Sequence, residues 1–242
     1  LSGEAPAGAA PGGPARVKPG LDPAAMRAAI AAAMARSKRE IPHYYLSHTI
    51  DLQPAADWLA GQNARRAPEE RLLMGALFVR AATLAARAVP EMNGHYAEGA
   101  FHPSDAVHAG VVIALRGGGL IAPAIHGADA LDLDATMAAM RDLVARARTG
   151  RLRGSEMTEG TITVSSLGDA GAETVAGVIY PPQVALAGFG APVRRPWLVG
   201  EAIGPRMVVT VTLAADHRAS DGRRGARFLD EIARRLQSPE EL

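Results

Sequence analysis

The 242 residues, 48% of them hydrophobic, suffice to bury a sizeable core in one large domain or two small ones. Charges of both signs are interspersed to a formal net charge of +1, which leaves no basic patch for nucleic acid, and no apolar run is long enough to cross a membrane. The lack of cysteine excludes disulfides, thiolate metal sites and a cysteine nucleophile and fits a cytoplasmic protein, while the seven histidines show neither HxxxH nor HExxH spacing, so no metal is expected.

Residues 1–20, built of Ala, Pro and Gly, have almost nothing to bury and read as an extended or disordered linker. They start without Met, as a piece of a longer chain would. Residues 21–242 are expected to form the folded domain. Asp22 as N-cap and Pro23 at the first helical position open a helix to about Arg39, with Met26, Ile30 and Met34 four apart. Ile41 to Leu52 then alternates as a strand, Tyr45, Ser47 and Thr49 on one face and Tyr44, Leu46, His48 and Ile50 on the other. His43, following Pro42, reads as structural or as a subunit contact.

A short helix over 54–66 and a longer one over 68–89 follow, the second apolar on most sides and so deep in the domain. His95, His102 and His108 suit no ligand geometry and read as solvated or packing residues. Gly110–Leu115 and Leu120–Ile125 flank Arg116–Gly119 as a hairpin, since the glycines lack the spacing of a phosphate loop. Asp134–Arg148 is an amphipathic helix with Met137, Met140, Leu143 and Val144 inward, ending at Gly150. Gly160 to Gly168 reads as a strand breaking into a turn, and residues 178–190 run into a second strand ending near Gly190.

The last segment carries the chemistry. From Met207 to Ala214 a period-two pattern marks a strand with one face in a core, and Leu229, Ile232, Ala233 and Leu236 mark a helix packing back on it. Between them the turn holds His217, Arg218, Ser220 and Asp221. An imidazole there suits proton transfer, because it alone among side chains has a reference pKa near neutrality.

The run DHRxxDG, Asp216 to Gly222, followed by GARFL, resembles the active-site motif of the acyltransferase component of 2-oxo-acid dehydrogenase complexes, and HxxxDG alone is shared with chloramphenicol acetyltransferases. Four further segments resemble that family in its order: the opening helix with IPHYYLSHTIDL, GLIAPAIHGAD from Gly119, GTITVSSLG from Gly160, and VIYPPQVAL from Val178. The chain departs from the family at Gly94-His95-Tyr96, at Leu115-Arg116 where relatives carry an acidic residue near the coenzyme A pocket, and at Leu59 where they place a basic one. Arg65 or Arg66 is a candidate to replace that charge.

The resemblance implies an α/β fold, a mixed sheet packed with helices as in chloramphenicol acetyltransferase, assembled as a homotrimer or a larger trimer-based core. It implies transfer of an acetyl or small branched acyl group between coenzyme A and a dihydrolipoyl thiol, with lipoyl domains and the E1 and E3 components as partners. His217 would be the general base and Ser165 the oxyanion donor, contributed by different subunits. Ser165, Ser166 and Gly190 would contact coenzyme A. Asp221 would either orient His217 or hold the loop as a helix-start carboxylate. Two other readings stay open, a non-catalytic core subunit and a stand-alone acyltransferase with another acceptor.

Overall fold

A computed structural model describes residues 23–115, 119–168 and 171–242; the expected linker and Arg116 to Gly118 of the expected turn lie outside the described residues. The sheet is built on its longest strand, β11 (Ala202–Asp216), whose second half is paired on both sides. One neighbour is β1 (His43–Asp51), antiparallel with His43 opposite Asp216, and the other is β9 (Ala185–Phe189). Beyond β9 lie β8 (Ile162–Ser166) and β4 (Ala109–Val111), both parallel to their neighbours, and then antiparallel β7 (Ala124–Ile125). The first half of β11 pairs with β10 (Val193–Val199) as a two-stranded arm bearing exposed Leu198, Val199 and Ile203. The mixed sheet is the expected one. The arm was not anticipated.

Helices cover one face. In α3 (Met74–Ala88) the alanines Ala76, Ala81, Ala82, Ala85 and Ala86 are buried, small enough to bring the helix close to the sheet, and Phe78 stacks on Phe189 with centroids 4.4 Å apart. Alongside it, α6 (Gly222–Gln237) buries Phe228, Leu229, Ile232 and Leu236, the stripe expected from the three-and-four spacing. Met137 and Leu143 of α4 (Leu133–Arg148) are buried in the same layer, and α2 (Gln53–Asn63) closes its end. The expected hairpin is present, with β5 (Ile113–Ala114) antiparallel to β6 (Leu120–Ile121).

The opposite face carries hydroxyls. Thr49 meets Thr210 at 3.2 Å, Thr212 donates to Val175 O, and Thr163 donates to Gln183 Oε1 at 2.6 Å. By the period of two, Ser165 stands on this face and Ser166 on the helical one. α1 (Pro23–Glu40) touches the domain at its C-terminal end, where buried Ser37 donates to Ile179 O at 2.6 Å.

The segment from Val178 runs into β9 as expected. The Pro-Pro segment itself does not join the ladder, because Pro181 and Pro182 have no N–H to offer, while Gln183 makes an isolated bridge to His95 and the continuous strand Ala185–Phe189 ends where it was expected. A short helix α5 (Gly154–Thr158) and the hairpin of β2 (Gly94–Ala97) with β3 (Ala100–Pro103) complete the domain.

Candidate active site

β11 ends at Asp216 and α6 begins at Gly222, so the intervening turn presents His217 at the edge of the sheet. The turn is fastened on both sides. The His217 N–H donates to Pro42 O at 3.0 Å, and Tyr44, neighbouring it on β1, places its ring edge-on to the imidazole with centroids 5.1 Å apart. The Tyr44 hydroxyl bonds Ser220 Oγ at 2.8 Å and donates to Asp221 O at 2.9 Å, and burial pushes its pKa up, which keeps it protonated for that donation. His217 itself is exposed, and among the described residues its imidazole makes no side-chain hydrogen bond. A group poised for an incoming ligand looks like this.

Before the histidine stands Asp216, fully buried; after it stands Arg218, whose Nε donates to Oδ1 at 2.9 Å and whose Nη2 donates to Oδ2 at 2.7 Å. The carboxylate raises the already high Arg218 pKa further, so the guanidinium stays charged. Asp-x-Arg spacing is the signal from which this chelate could have been foreseen.

Asp221 has other work. Its Oδ1 accepts from the N–H groups of Arg223 and Arg224 at 2.9 and 3.0 Å, capping α6, and these bonds, Arg224's first, hold its carboxyl below the usual carboxylate range. No hydrogen bond runs from it to the imidazole among the described residues. Of its two expected roles, helix capping is the one its hydrogen bonds serve in the chain.

Ser165 is half-buried in β8, level with Gly188 of β9, which is level with Thr212 of β11. His217 lies five residues beyond Thr212. At about 3.3 Å per residue and about 4.8 Å per strand, the register puts Ser165 and His217 of one chain about 19 Å apart. One chain does not bring them together. Ser166 is exposed beside a cavity of about 320 Å³ lined by Val79, Val111, Met140 and Arg148, and its Oγ accepts from Gly168 N–H at 3.3 Å. At Gly190 a Cβ would lie 1.9 Å from Glu173 O, so backbone packing accounts for that glycine and the expected coenzyme contact is not needed to explain it.

Three further histidines bond the backbone of the fold. His43 Nδ1 faces Ile41 O at 2.9 Å while its Nε2 accepts from Ile179 N–H at 3.2 Å, His95 Nε2 bonds Gly160 O at 2.8 Å, and His108 Nδ1 accepts from Gly127 N–H at 3.0 Å. Among the described residues no cluster of three or more His, Asp or Glu is placed to hold a metal, and no helix is long and apolar enough to cross a membrane. Arg66, a candidate substitute for the missing basic residue, is engaged by Asp134 through both of its terminal nitrogens. Sequence reasoning missed Tyr44 and Tyr96 as neighbours of the turn.

Residues 21–242 match the family described as 2-oxoacid dehydrogenases acyltransferase (catalytic domain). The chain belongs to this acyltransferase family. A relative from Zymomonas mobilis, the dihydrolipoyllysine-residue acetyltransferase component of pyruvate dehydrogenase complex, is 33% identical over 223 residues, covering 88% of this chain and 49% of its own length. The chain thus spans about half the length of the curated relatives it matches. Among solved structures, a probable dihydrolipoamide acetyltransferase from Listeria monocytogenes superposes with a TM-score of 0.84 at 27% identity, over 93% of this chain and 95% of that one. The dihydrolipoamide acetyltransferase of Azotobacter vinelandii superposes equally well, 0.84 at 25% identity over 90% of each chain; a serine, a histidine and an asparagine were investigated there for their role in the catalytic mechanism. Chloramphenicol acetyltransferase shares the fold at a TM-score of 0.57, with 14% identity over 85% of this chain and 94% of that one. The expected fold of this acyltransferase-family domain is the observed one.

Proposed function

We propose that the chain transfers an acetyl or small branched acyl group between coenzyme A and the dihydrolipoyl thiol of a 2-oxo-acid dehydrogenase complex, with His217 as general base and Ser165 as oxyanion donor. The observation that carries the reading is the exposed imidazole of His217 on a turn fastened at Pro42, Tyr44, Asp216 and Ser220. The serine and histidine investigated in the Azotobacter enzyme are separated by the same number of residues as Ser165 and His217, and its asparagine follows the histidine by four, where this chain has Asp221.

A thiol of pKa about 8.5 is mostly protonated near neutrality, so the neutral imidazole first takes its proton. The thiolate attacks the thioester carbonyl, and the new C–S bond leaves a tetrahedral carbon whose oxyanion receives the Ser165 hydroxyl hydrogen bond. Collapse breaks the other C–S bond, and the departing thiolate recovers the proton from the imidazolium. Both groups must lie within a few ångströms of one thioester, yet about 19 Å of sheet separates them in one chain. The site is therefore formed between His217 of one copy and Ser165 of another, which a homotrimer provides three times over. Lipoyl domains and the E1 and E3 components of the complex would supply and receive the lipoyl arm.

The Zymomonas relative is an acetyltransferase component, which favours acetyl among the acyl groups. A succinyl carboxylate would need a positioned cation, and Arg218, the cation beside His217, is already chelated by Asp216. A panel of acyl-CoA donors with dihydrolipoamide tests the assignment, with light scattering to confirm a trimer or a multiple of it. Acetyl-CoA or a branched acyl-CoA is expected to lead, with succinyl-CoA at least about tenfold lower in kcat/KM. Preference for succinyl-CoA refutes the acyl assignment, and no turnover with any donor favours a core subunit without catalysis.

A further inference from the structure

The hairpin of β2 and β3, where the sequence departs from its relatives, reaches the His217 turn. Its strands are tied down by the Tyr96 N–H donating to Pro182 O at 2.8 Å and by a bridge between His95 and Gln183. The Tyr96 hydroxyl donates to Gly99 O at 2.9 Å, across the hairpin's own tip. The ring so fixed lies face-on to Arg218, whose Cζ is 4.0 Å from the ring centroid. Arg218 in turn closes on Asp216 through Nε and Nη2, and the Arg218 backbone N–H donates to Asp216 Oδ1 at 2.9 Å. His217 is the single residue enclosed between the two ends of that chelate.

We propose that Tyr96 is a positioning residue for acyl transfer: by stacking on Arg218 it keeps the Asp216–Arg218 chelate closed and so fixes the direction in which His217 presents its imidazole. This rests on the reading of His217 as the base. The physical argument concerns Arg218, whose side chain is 31% exposed and could exchange its carboxylate for water. Asp216 could not follow, because it is fully buried and would be left as a charge without its cation. A π face against the guanidinium attracts the cation and excludes water from one side of it, which holds the pair together. The Tyr44 ring, whose hydroxyl bonds Ser220 and Asp221 and not this chelate, also restrains the imidazole and remains in place when Tyr96 is changed.

The test compares Tyr96→Leu, which keeps apolar bulk and loses the π face, with Tyr96→Phe, which keeps the face, in the assembled protein. With acetyl-CoA and dihydrolipoamide, Tyr96→Leu is expected to lower kcat about fivefold or more with both KM values within about twofold, and Tyr96→Phe to restore most of the rate. Crystal structures of the two variants give a readout independent of turnover: the His217 imidazole displaced or disordered in Tyr96→Leu and in its original place in Tyr96→Phe. Should Tyr96→Leu fail to fold, Tyr96→Met carries the same comparison. An unchanged kcat in the Leu variant, or an equal loss in both variants, overturns the proposal. If the unmodified protein transfers no acyl group to any acceptor thiol, the catalytic reading fails by itself, and an undisturbed His217 in the Leu variant then overturns the positioning role as well.

Discussion

Tyr44 meets His217 edge-on, with ring centroids 5.1 Å apart and planes inclined at 64°, across the pairing of β1 with β11. Among the described residues the imidazole nitrogens have no hydrogen-bond partner, while the ring itself is restrained. An imidazole held in this way would lose little freedom on binding a ligand, which would suit the general-base role proposed for it.

His217→Ala is expected to lower acyl transfer by about 10²-fold or more, since general-base catalysis contributes at least that much, and to leave the fold intact because the side chain is exposed. Steady-state rates with acetyl-CoA, alongside circular dichroism, check this. A rate equal to the unmodified protein would remove His217 from the chemistry.

Ser165→Ala should lower kcat by about 10²-fold with KM little changed, as expected of a donor that acts on the oxyanion and not on the bound substrate. Because the two groups would come from different copies, unfolding and refolding an equal mixture of Ser165→Ala and His217→Ala proteins should restore up to about a quarter of full activity, the fraction of subunit junctions that receive both intact residues. Activity no greater than the sum of the parents would place both groups in one chain, against the register of the sheet.

Asp221→Asn should melt with the unmodified protein and retain most of its rate, since an amide oxygen caps a helix as a carboxylate does. Asp221→Ala should melt about 2–4 °C lower. A large loss of kcat in Asp221→Asn with no change in melting temperature would return the carboxylate to catalysis.

Acid should weaken the link between β1 and residue 179. Burial depresses the His43 pKa below its ordinary 6.5, in keeping with a ring whose Nε2 must stay unprotonated to accept from Ile179 N–H. Between that depressed value and 6.5 the unfolded chain binds more protons at this position than the folded one, so the contribution to stability is fully present above about pH 6.5 and is lost as pH falls through the folded value. The melting-temperature gap between the unmodified protein and His43→Gln should therefore shrink from about pH 8 to about pH 5. His108, also depressed by burial, titrates in both proteins and cancels from the difference. A gap that widens on acidification would contradict the bonding of His43.

Periodicity made the long amphipathic elements legible: the stripes of α4 and α6 and the alternation in β1 and β11 lie where the spacing put them. It failed where local chemistry argues against pairing. β10 contains Arg194, Arg195 and Pro196, a poor strand by composition, and forms as one edge of an arm whose partner is β11. The turn of β2 and β3 places Glu98 at φ 53, a conformation that sequence does not advertise for a non-glycine residue. In the candidate site His217 and Asp221 could be read from one short motif, whereas Tyr44 and Tyr96 come to it from positions more than 100 residues earlier. Only the pairing register reveals how far Ser165 stands from His217 in the same chain.

β11 runs for 15 residues, about 50 Å, from the exposed Ile203 end of the arm to the turn that carries His217. Ladder bonds to β1 and β9 hold its second half, while its first half pairs only with β10. A neighbouring copy docked on Leu198 and Ile203, or a bulky substitution among those residues, would bear on the same strand that ends at the His217 turn. Changes in the arm are therefore expected to alter association, and turnover along with it.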